Sequence, residues 1–523
     1  MKKNDTKPHR NIGAVILAGG LGTRMQSEIP KALAGLLENP LIFYPFMSVT
    51  GARKEFNGRA GLCPYRVFLN KIITVIGYHG ELVKKYILNE ERFKKKGFSL
   101  EFAVQEKYLG TGDAVKKAVS LFSEKKSRRD TKGASAAENA GGICGQVPET
   151  DILILPCDMP LMKYETLVRA IKFHLENDND LTVLSSIAED PYSYGRILRD
   201  EKGFAEKIIE EKELCDYPPE TAGIREINSG VYIVKLNLLK RFIGRIKPEN
   251  RKKEYYFTDI VNIFYKAGLK TLCWTSENSE EFAGVNSKTD LFNAQKVLQK
   301  RLINGLISKG VNFISDDGVY IGWNVEIKEG AVIYPGVFIS GNTRIFKGAT
   351  IENGCVVKNS SILDNARINS YSVIENSFIA KDVQIGPFAR LRPDTFIGEG
   401  SRIGNFVEVK KSVVGKNTKA SHLSYIGDSI IGSGVNIGAG VITCNYDGEK
   451  KHKTIIDNGC FIGSDSQLVA PVKIGKDSYV GSGTTVTKDV PEGALAVSRV
   501  PQQNVEGWAL KRKKLLSKQK KKS

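Results

Sequence analysis

The sequence predicts two folds in series: an α/β domain of Rossmann type, then an all-β parallel β-helix of hexapeptide repeats. Three observations carry this. An aliphatic residue returns every six positions through most of the second half: Ile321, Ile327, Ile333, Ile339, Ile345, Ile351 and Val357. After a five-residue step come Ile362, Ile368 and Ile374, then Ile379, Ile385, Leu391, Ile397, Ile403 and Val409, and finally Ile456, Ile462, Leu468, Ile474, Val480 and Val486. A period of six fits neither a helix near 3.6 nor an ordinary strand of 2. It fits short strands that turn corners, each repeat stacking on its neighbours with the aliphatic residue inward. Second, the chain up to about Phe282 alternates strand-like runs with helical patterns, as α/β folds do. Third, 523 residues exceed one ordinary core, and a 41% hydrophobic content is that of a globular protein.

Taken in order, Ile12 to Leu17, Ile72 to Gly77, Ile152 to Leu155 and Leu181 to Ser185 read as buried strands. Two stretches, near 51–62 and 123–150, lack periodicity and read as surface insertions in a first domain of residues 1–287. From 288 to 310, Leu291, Phe292, Val297, Leu298, Leu302 and Ile303 fit an amphipathic linker helix. The coil should occupy 311–507, with Gly and Asn at its corners, where positive φ is cheapest. Residues 508–523 form a basic tail, expected as frayed helix or coil.

Bulk features exclude several classes. No apolar run reaches eighteen residues, so no membrane span is expected. The eight cysteines are scattered without C-x-x-C or zinc spacing, which suits reduced thiols in the cytoplasm. The net charge of +19 lies partly in the two ends. It reads as solvated tails plus phosphate-binding side chains, and a nucleic-acid partner is not expected.

Chemistry concentrates in two places. Leu17-Ala18-Gly19-Gly20-Leu21-Gly22-Thr23-Arg24 follows a buried strand, with Pro30-Lys31 soon after. Glycines let backbone N–H groups approach a phosphate, and Arg24 and Lys31 add positive charge. It is neither a P-loop nor G-x-G-x-x-G, because Met25 stands where the third glycine would be. Further on, the coil's rhythm breaks at Phe388 to Arg392 and again where Thr443 to Gly448 leaves the period, through Lys453. His422, one of five histidines, lies between them.

L-A-G-G-x-G-T-R followed by P-K resembles the signature loop of sugar-phosphate nucleotidyltransferases. Gln105 before Leu109-Gly110-Thr111-Gly112, then Pro156-Cys157-Asp158, Tyr194-Gly195-Arg196, Glu210, Asn228 and Gly284-Val285-Asn286, fall in the same order. With the coil, the chain resembles the bacterial bifunctional N-acetylglucosamine-1-phosphate uridyltransferase/glucosamine-1-phosphate acetyltransferase family over nearly its whole length. The resemblance implies a Rossmann-like nucleotidyltransferase domain joined to a left-handed β-helix. It implies that Leu17, Ala18, Gly19, Gly20, Lys31, Gln105, Gly110 and Thr111 hold UTP, that Gly195, Glu210 and Asn228 contact the sugar, and that Asp158 and Asn286 ligate Mg²⁺. Arg24 and Lys31 would neutralise charge during transfer.

On the coil, the resemblance makes His422 the general base for glucosamine 1-phosphate attacking acetyl-CoA. Arg392 and Lys410 would hold the sugar phosphate, helped by Tyr425, Asn436 and Lys451. Asn445 would steady the amine or the oxyanion, and Glu408 would orient His422. Ala439, Asn445, Tyr446, Ser464, Ser482 and Arg499 align with acetyl-CoA contacts. Leu21, where the family often has Lys, and Cys157, where Gly is usual, depart from the pattern, as does Ser482, where some relatives have Ala. A homotrimer is implied. Two alternatives remain at the sequence level: a nucleotidyltransferase whose coil only assembles or regulates it, and a non-catalytic scaffold with a polyanion-binding tail.

Overall fold

The computed structural model describes residues 9–20, 22, 25, 29–58, 65–94, 97–122, 150–191, 193–498 and 500–520. The chain divides into two compact units, Met1–Leu298 and Gln299–Ser523.

The first unit is built on one twisted sheet. Its strands are β1 (His9–Ala18), β2 (Arg66–Ile76), β3 (Ser99–Val104), β4 (Thr150–Pro156), β5 (Leu181–Ile187), β6 (Arg196–Arg199), β7 (Ala205–Ile209), β8 (Glu226–Lys235) and β9 (Thr271–Ser276). Their order is β9-β5-β8-β4-β1-β2-β3, with β6 and β7 as a hairpin attached to β8. Strands β1 to β4 run parallel, so their carboxyl ends share one edge. The order reverses at β1, and open α/β sheets bind ligands at such a switch point. All four runs read as buried strands in the sequence are strands. Their side chains are buried on both faces, from Ile12, Val15 and Ile16 through Ile152 to Leu155.

The segment near 51–62 departs from expectation. Residues up to Gly58 continue a helix that begins at Phe43, with Val49 and Ala52 fully buried. Gly51 suggested a loop, but the helix lies so close to Tyr164 that a Cβ there would sit 2.6 Å from its ring carbon. Here glycine permits packing and does not break the helix. The stretch 123–149 lies outside the described residues; Thr150 opens β4.

In the second unit the linker helix spans Lys288–Ile307, and its last turns place Ile303 and Leu306 in the coil's core. Each coil turn contributes one short parallel strand to each of three faces. Among the described residues face one holds eleven strands, from Asn312–Phe313 to Leu495–Ala496. Face two holds ten, from Tyr320–Ile321 to Thr485–Val486, and face three nine, from Glu326–Ile327 to Val472–Ile474. Every residue of the six-residue series is at most 5% exposed. The series also runs on through Val414, Ala420, Ile426, Ile431 and Ile437, all buried, where the sequence reading left a gap. The rhythm expected to break at Phe388–Arg392 does not: Leu391 is buried in register with Ile374 and Val409. Only the excursion between Cys444 and Thr454 leaves the coil. Burying each Ile or Val is worth about 1.5–3 kcal/mol, so the column of them is the coil's main support. The basic tail is a helix, Trp508–Lys520, exposed along its length.

Candidate functional site

A cleft of about 350 Å³ opens at the carboxyl edge of β1 and β4. Leu17, Gly19 and Gly20 leave β1 along one wall, Pro156, Cys157 and Asp158 leave β4 along another, and Gln105, Gly110 and Thr111 close the third. The glycines are there for space. A Cβ on Gly19 would come 3.1 Å from the Gln105 Oε1, whereas one on Gly20 would meet nothing within 4 Å, so the Gly20 backbone lies bare to the cleft. Gly110, at φ 107°, packs its Cα against the Tyr255 carbonyl, where a Cβ would clash at 2.5 Å. Buried Gln105 donates to the Gly110 carbonyl (3.0 Å) and to Asp113 Oδ2 (2.9 Å), which fixes its amide. Thr111 accepts from the Phe257 N–H at 3.0 Å. Ala18 is buried behind the wall. Leu21, Thr23 and Arg24 lie outside the described residues.

At the cleft floor Lys31 donates to Asp158 Oδ2 in a short contact and to Asn286 Oδ1 at 2.7 Å. The two oxygens, from distant parts of the sequence, converge on one cationic point. Two hard oxygen donors open to solvent on one side fit Mg²⁺, which keeps most of its waters. Cys157 beside them is fully buried, and burial, with the Asp158 charge adding, pushes its thiol up to about 12. It is a packing residue, not a nucleophile.

Gly195, Glu210 and Asn228 gather at the end of the β6–β7 hairpin. Arg196 pairs with both Ile209 and Ile227, so the residues flanking those pairs must meet. Asn228 donates its backbone N–H to the Gly195 carbonyl at 2.9 Å. Its side chain receives Gly230 N–H (3.0 Å) and donates to Tyr232 (2.8 Å). Burial raises the Glu210 carboxyl, against a 3.1 Å hydrogen bond from Thr258. These three do not line the 350 Å³ cleft themselves. Burial also raises the neighbouring Tyr194 phenol, and the charges of Asp290 and Asp158 push it the same way, which ties this cluster to the Asp158 end of the cleft. Sequence reasoning missed Tyr108, which lines the cleft, and Asp113, which holds Gln105. An acidic residue in the first turn of the helix Thr111–Ser120 was the available signal for Asp113.

The second constellation sits on the corner between faces one and two. His422 ends its strand in register with Asn405 one turn below, and its Nδ1 lies 2.7 Å from Asn405 Oδ1. An amide oxygen can only accept, so Nδ1 carries the proton and Nε2 keeps its lone pair. The expectation that Glu408 orients His422 is not met. Glu408 instead pairs with Arg392 at 2.9 Å, since its strand belongs to face two, and Asn405 takes the orienting place.

Above His422, Ala439, Ser464 and Ser482 occupy the same corner on successive turns, each two residues past a buried aliphatic side chain. A Cβ on Gly438 would touch the Ser464 amide (2.6 Å), and one on Gly463 the Ser482 amide (2.5 Å). On face two, Lys451 crowds Lys410 and, with Arg392, pulls its ammonium below the ordinary lysine range. Three cations so placed call for a multiply charged anion. Asn445, 7% exposed, donates to Asp428 Oδ2 at 2.5 Å. Tyr425 and Asn445 both crowd Gly427, where a Cβ would lie 2.5 Å from the phenol oxygen and 2.8 Å from Nδ2. Tyr446 stands exposed beyond them. Asn436 is not gathered in: it lies on face one in register with Lys419. Arg499 is outside the described residues.

The two folds with these sites define a two-domain transferase, a nucleotidyltransferase followed by a hexapeptide-repeat acyltransferase. Comparison with known proteins agrees. The nucleotidyl transferase model matches residues 65–279, the GMPPB C-terminal domain model 318–395 and 378–446, and the bacterial transferase hexapeptide model 453–488. The chain is 42% identical over 505 residues to the "Bifunctional protein GlmU" of Thermodesulfovibrio yellowstonii, covering 96% of this chain and all of that one. It is 40% identical to that of Pelobacter propionicus, over 96% and 99% of the two chains. Against that of Geotalea uraniireducens it is 40% identical, over 96% and 100%. The chain belongs to the bifunctional GlmU family.

Proposed function

We propose that the coil site acetylates glucosamine 1-phosphate from acetyl-CoA, and that the cleft then joins the N-acetylated product to UMP from UTP, releasing pyrophosphate. The observation that carries this is the pairing of His422 Nε2, left free by Asn405, with the cation cluster one face away. Arg392, Lys410 and Lys451 would seat the sugar phosphate and so present the amine to Nε2. Nε2 takes the amine proton as nitrogen attacks the thioester carbonyl, and the C–S bond breaks to release the CoA thiolate. The Ala439–Ser464–Ser482 line offers small side chains for an extended acyl carrier along the corner. A coil serving only as a scaffold has no use for this arrangement.

In the cleft, the acceptor phosphate is already ionised and needs no base. Asp158 and Asn286 would hold Mg²⁺, which supplies charge neutralisation at the nucleotide phosphates. Lys31 adds its ammonium at the same point, and the bare Gly19–Gly20 backbone approaches the phosphates. Gly195, Glu210 and Asn228 would recognise the sugar.

A homotrimer is proposed as the working assembly. Phe378, Phe396, Val413 and Ile430 stack in register on the outside of face three, each 38–46% exposed, a strip suited to burial against another copy. No helix among the described residues is long and apolar enough to cross a membrane. The cytoplasm is the proposed location. Mass spectrometry of products after incubation with glucosamine 1-phosphate, acetyl-CoA, UTP and Mg²⁺ tests the chemistry. UDP-N-acetylglucosamine is expected; absence of any acetylated product would overturn the coil reading.

A further inference from the structure

The excursion after Cys444 supplies two residues to the coil site, Asn445 and Lys451, but the six residues between them carry nothing that contacts the coil's core. Something must fix where Lys451 falls. One carboxylate does most of this. Asp447 Oδ1 accepts the backbone N–H groups of Glu449 (2.8 Å) and Lys450 (2.6 Å), and its Oδ2 lies 2.6 Å from His452 Nε2. The strands it joins are short: Tyr446 and Lys451 form a single antiparallel bridge, and the His452 N–H returns to the Asn445 carbonyl at 2.8 Å. Gly448, at φ 103°, makes the reversal, and its carbonyl accepts from the Tyr446 hydroxyl at 2.5 Å.

We infer that Asp447, paired with His452, is the positioning residue of the acetyl-transfer site, holding the hairpin so that Lys451 faces Lys410 and the anion seat is complete. The inference rests on the phosphate-binding reading above. The same hydrogen bonds hold the Asp447 carboxyl far below its ordinary range, the backbone N–H of Lys450 contributing most and His452 next, so the anchor stays ionised at neutral pH. Asp447 itself touches neither substrate in this reading. It acts through the backbone on each side of Lys451.

The test is steady-state acetyl transfer by the full chain carrying Asp447→Ala, Asp447→Asn, His452→Ala or Lys451→Ala. Amide hydrogen exchange across 445–453 is followed in parallel. Asp447→Ala should raise KM for glucosamine 1-phosphate about tenfold, as expected for one misplaced charge-assisted contact, with kcat changed less than about threefold. KM for acetyl-CoA and the rate of uridylyl transfer should not move. Asp447→Asn should recover most of the loss, because an amide oxygen still accepts the two backbone N–H groups, and His452→Ala should fall between. The Glu449 and Lys450 amides should lose protection in the alanine variant alone. An unchanged KM, a loss confined to kcat, or an asparagine variant no better than alanine would overturn the inference. If Lys451→Ala leaves KM for the sugar phosphate unchanged, the phosphate reading falls instead, and the exchange rates alone then decide whether Asp447 holds the hairpin.

Discussion

The Nδ1 proton of His422 is committed to Asn405, which makes the neighbour's carbonyl as consequential as the ring. A neutral amide orients the imidazole without the charge that a carboxylate would add. Asn405→Ala should therefore lower kcat for acetyl transfer by ~10–100-fold, the usual scale for losing an imidazole's orienting partner. The measurement is a pre-steady-state acetylation rate, and an unaltered rate would return the orienting role to another group. A second residue-scale consequence concerns stability. Burial, with Glu213 adding, raises Asp259 to about 6. A raised carboxyl favours the folded state only when protonated. Its contribution is full below the unfolded value near 4 and is lost as pH climbs through about 6. Asp259→Asn should thus raise Tm at pH 7.5, with the difference shrinking toward zero at pH 4, as read by calorimetry.

At the scale of elements, the coil was the most legible part of the sequence, because a period of six has no competing explanation. Each aliphatic residue could be assigned inward by counting alone. The count failed only where Ala420 replaced a larger side chain and where the excursion after Thr443 reset the phase. The cleft was legible through its glycines and through Asp158 and Asn286, since close backbone approach and metal ligation each demand particular residue types. Orienting contacts were not. That Asn405 and not Glu408 serves His422 depends on which face each strand joins, and a hexad pattern alone does not show which outward side chains meet around a corner. The helix through Gly51 was hidden because a glycine chosen for close packing looks the same as one chosen for a turn. The regularity of the coil yields its own prediction. Arg344 and Ile345 are the register partners of Ser361 and Ile362, so deleting 345–361 removes one turn and rejoins matched ends. Acetyl transfer should survive with at most a modest loss of stability, because a solenoid's stability sums over neighbouring turns. Complete unfolding in circular dichroism would contradict that picture.

At the scale of the whole molecule, the two chemistries lie in separate compact units. Their failures should be separable. His422→Ala should reduce acetylation by ~10²–10⁴-fold and leave uridylyl transfer from supplied N-acetylglucosamine 1-phosphate intact. Asp158→Ala should do the reverse, with a loss on the order of 10²-fold or more, since the charge on the phosphates goes uncompensated. Paired assays of both reactions on both variants check this, and loss of both activities in a folded single variant would refute independence.

The excursion between Cys444 and Thr454 has one more consequence. It enters and leaves at a corner, and the strands on either side of it keep register: Ser429 with Thr454, and Ile442 with Gln467. The coil therefore behaves as a graduated rule onto which attachments can be clipped without disturbing the scale. Length added at a corner is free to diverge among descendants of such a protein. A single residue added inside a hexad would instead turn every later mark to the wrong side.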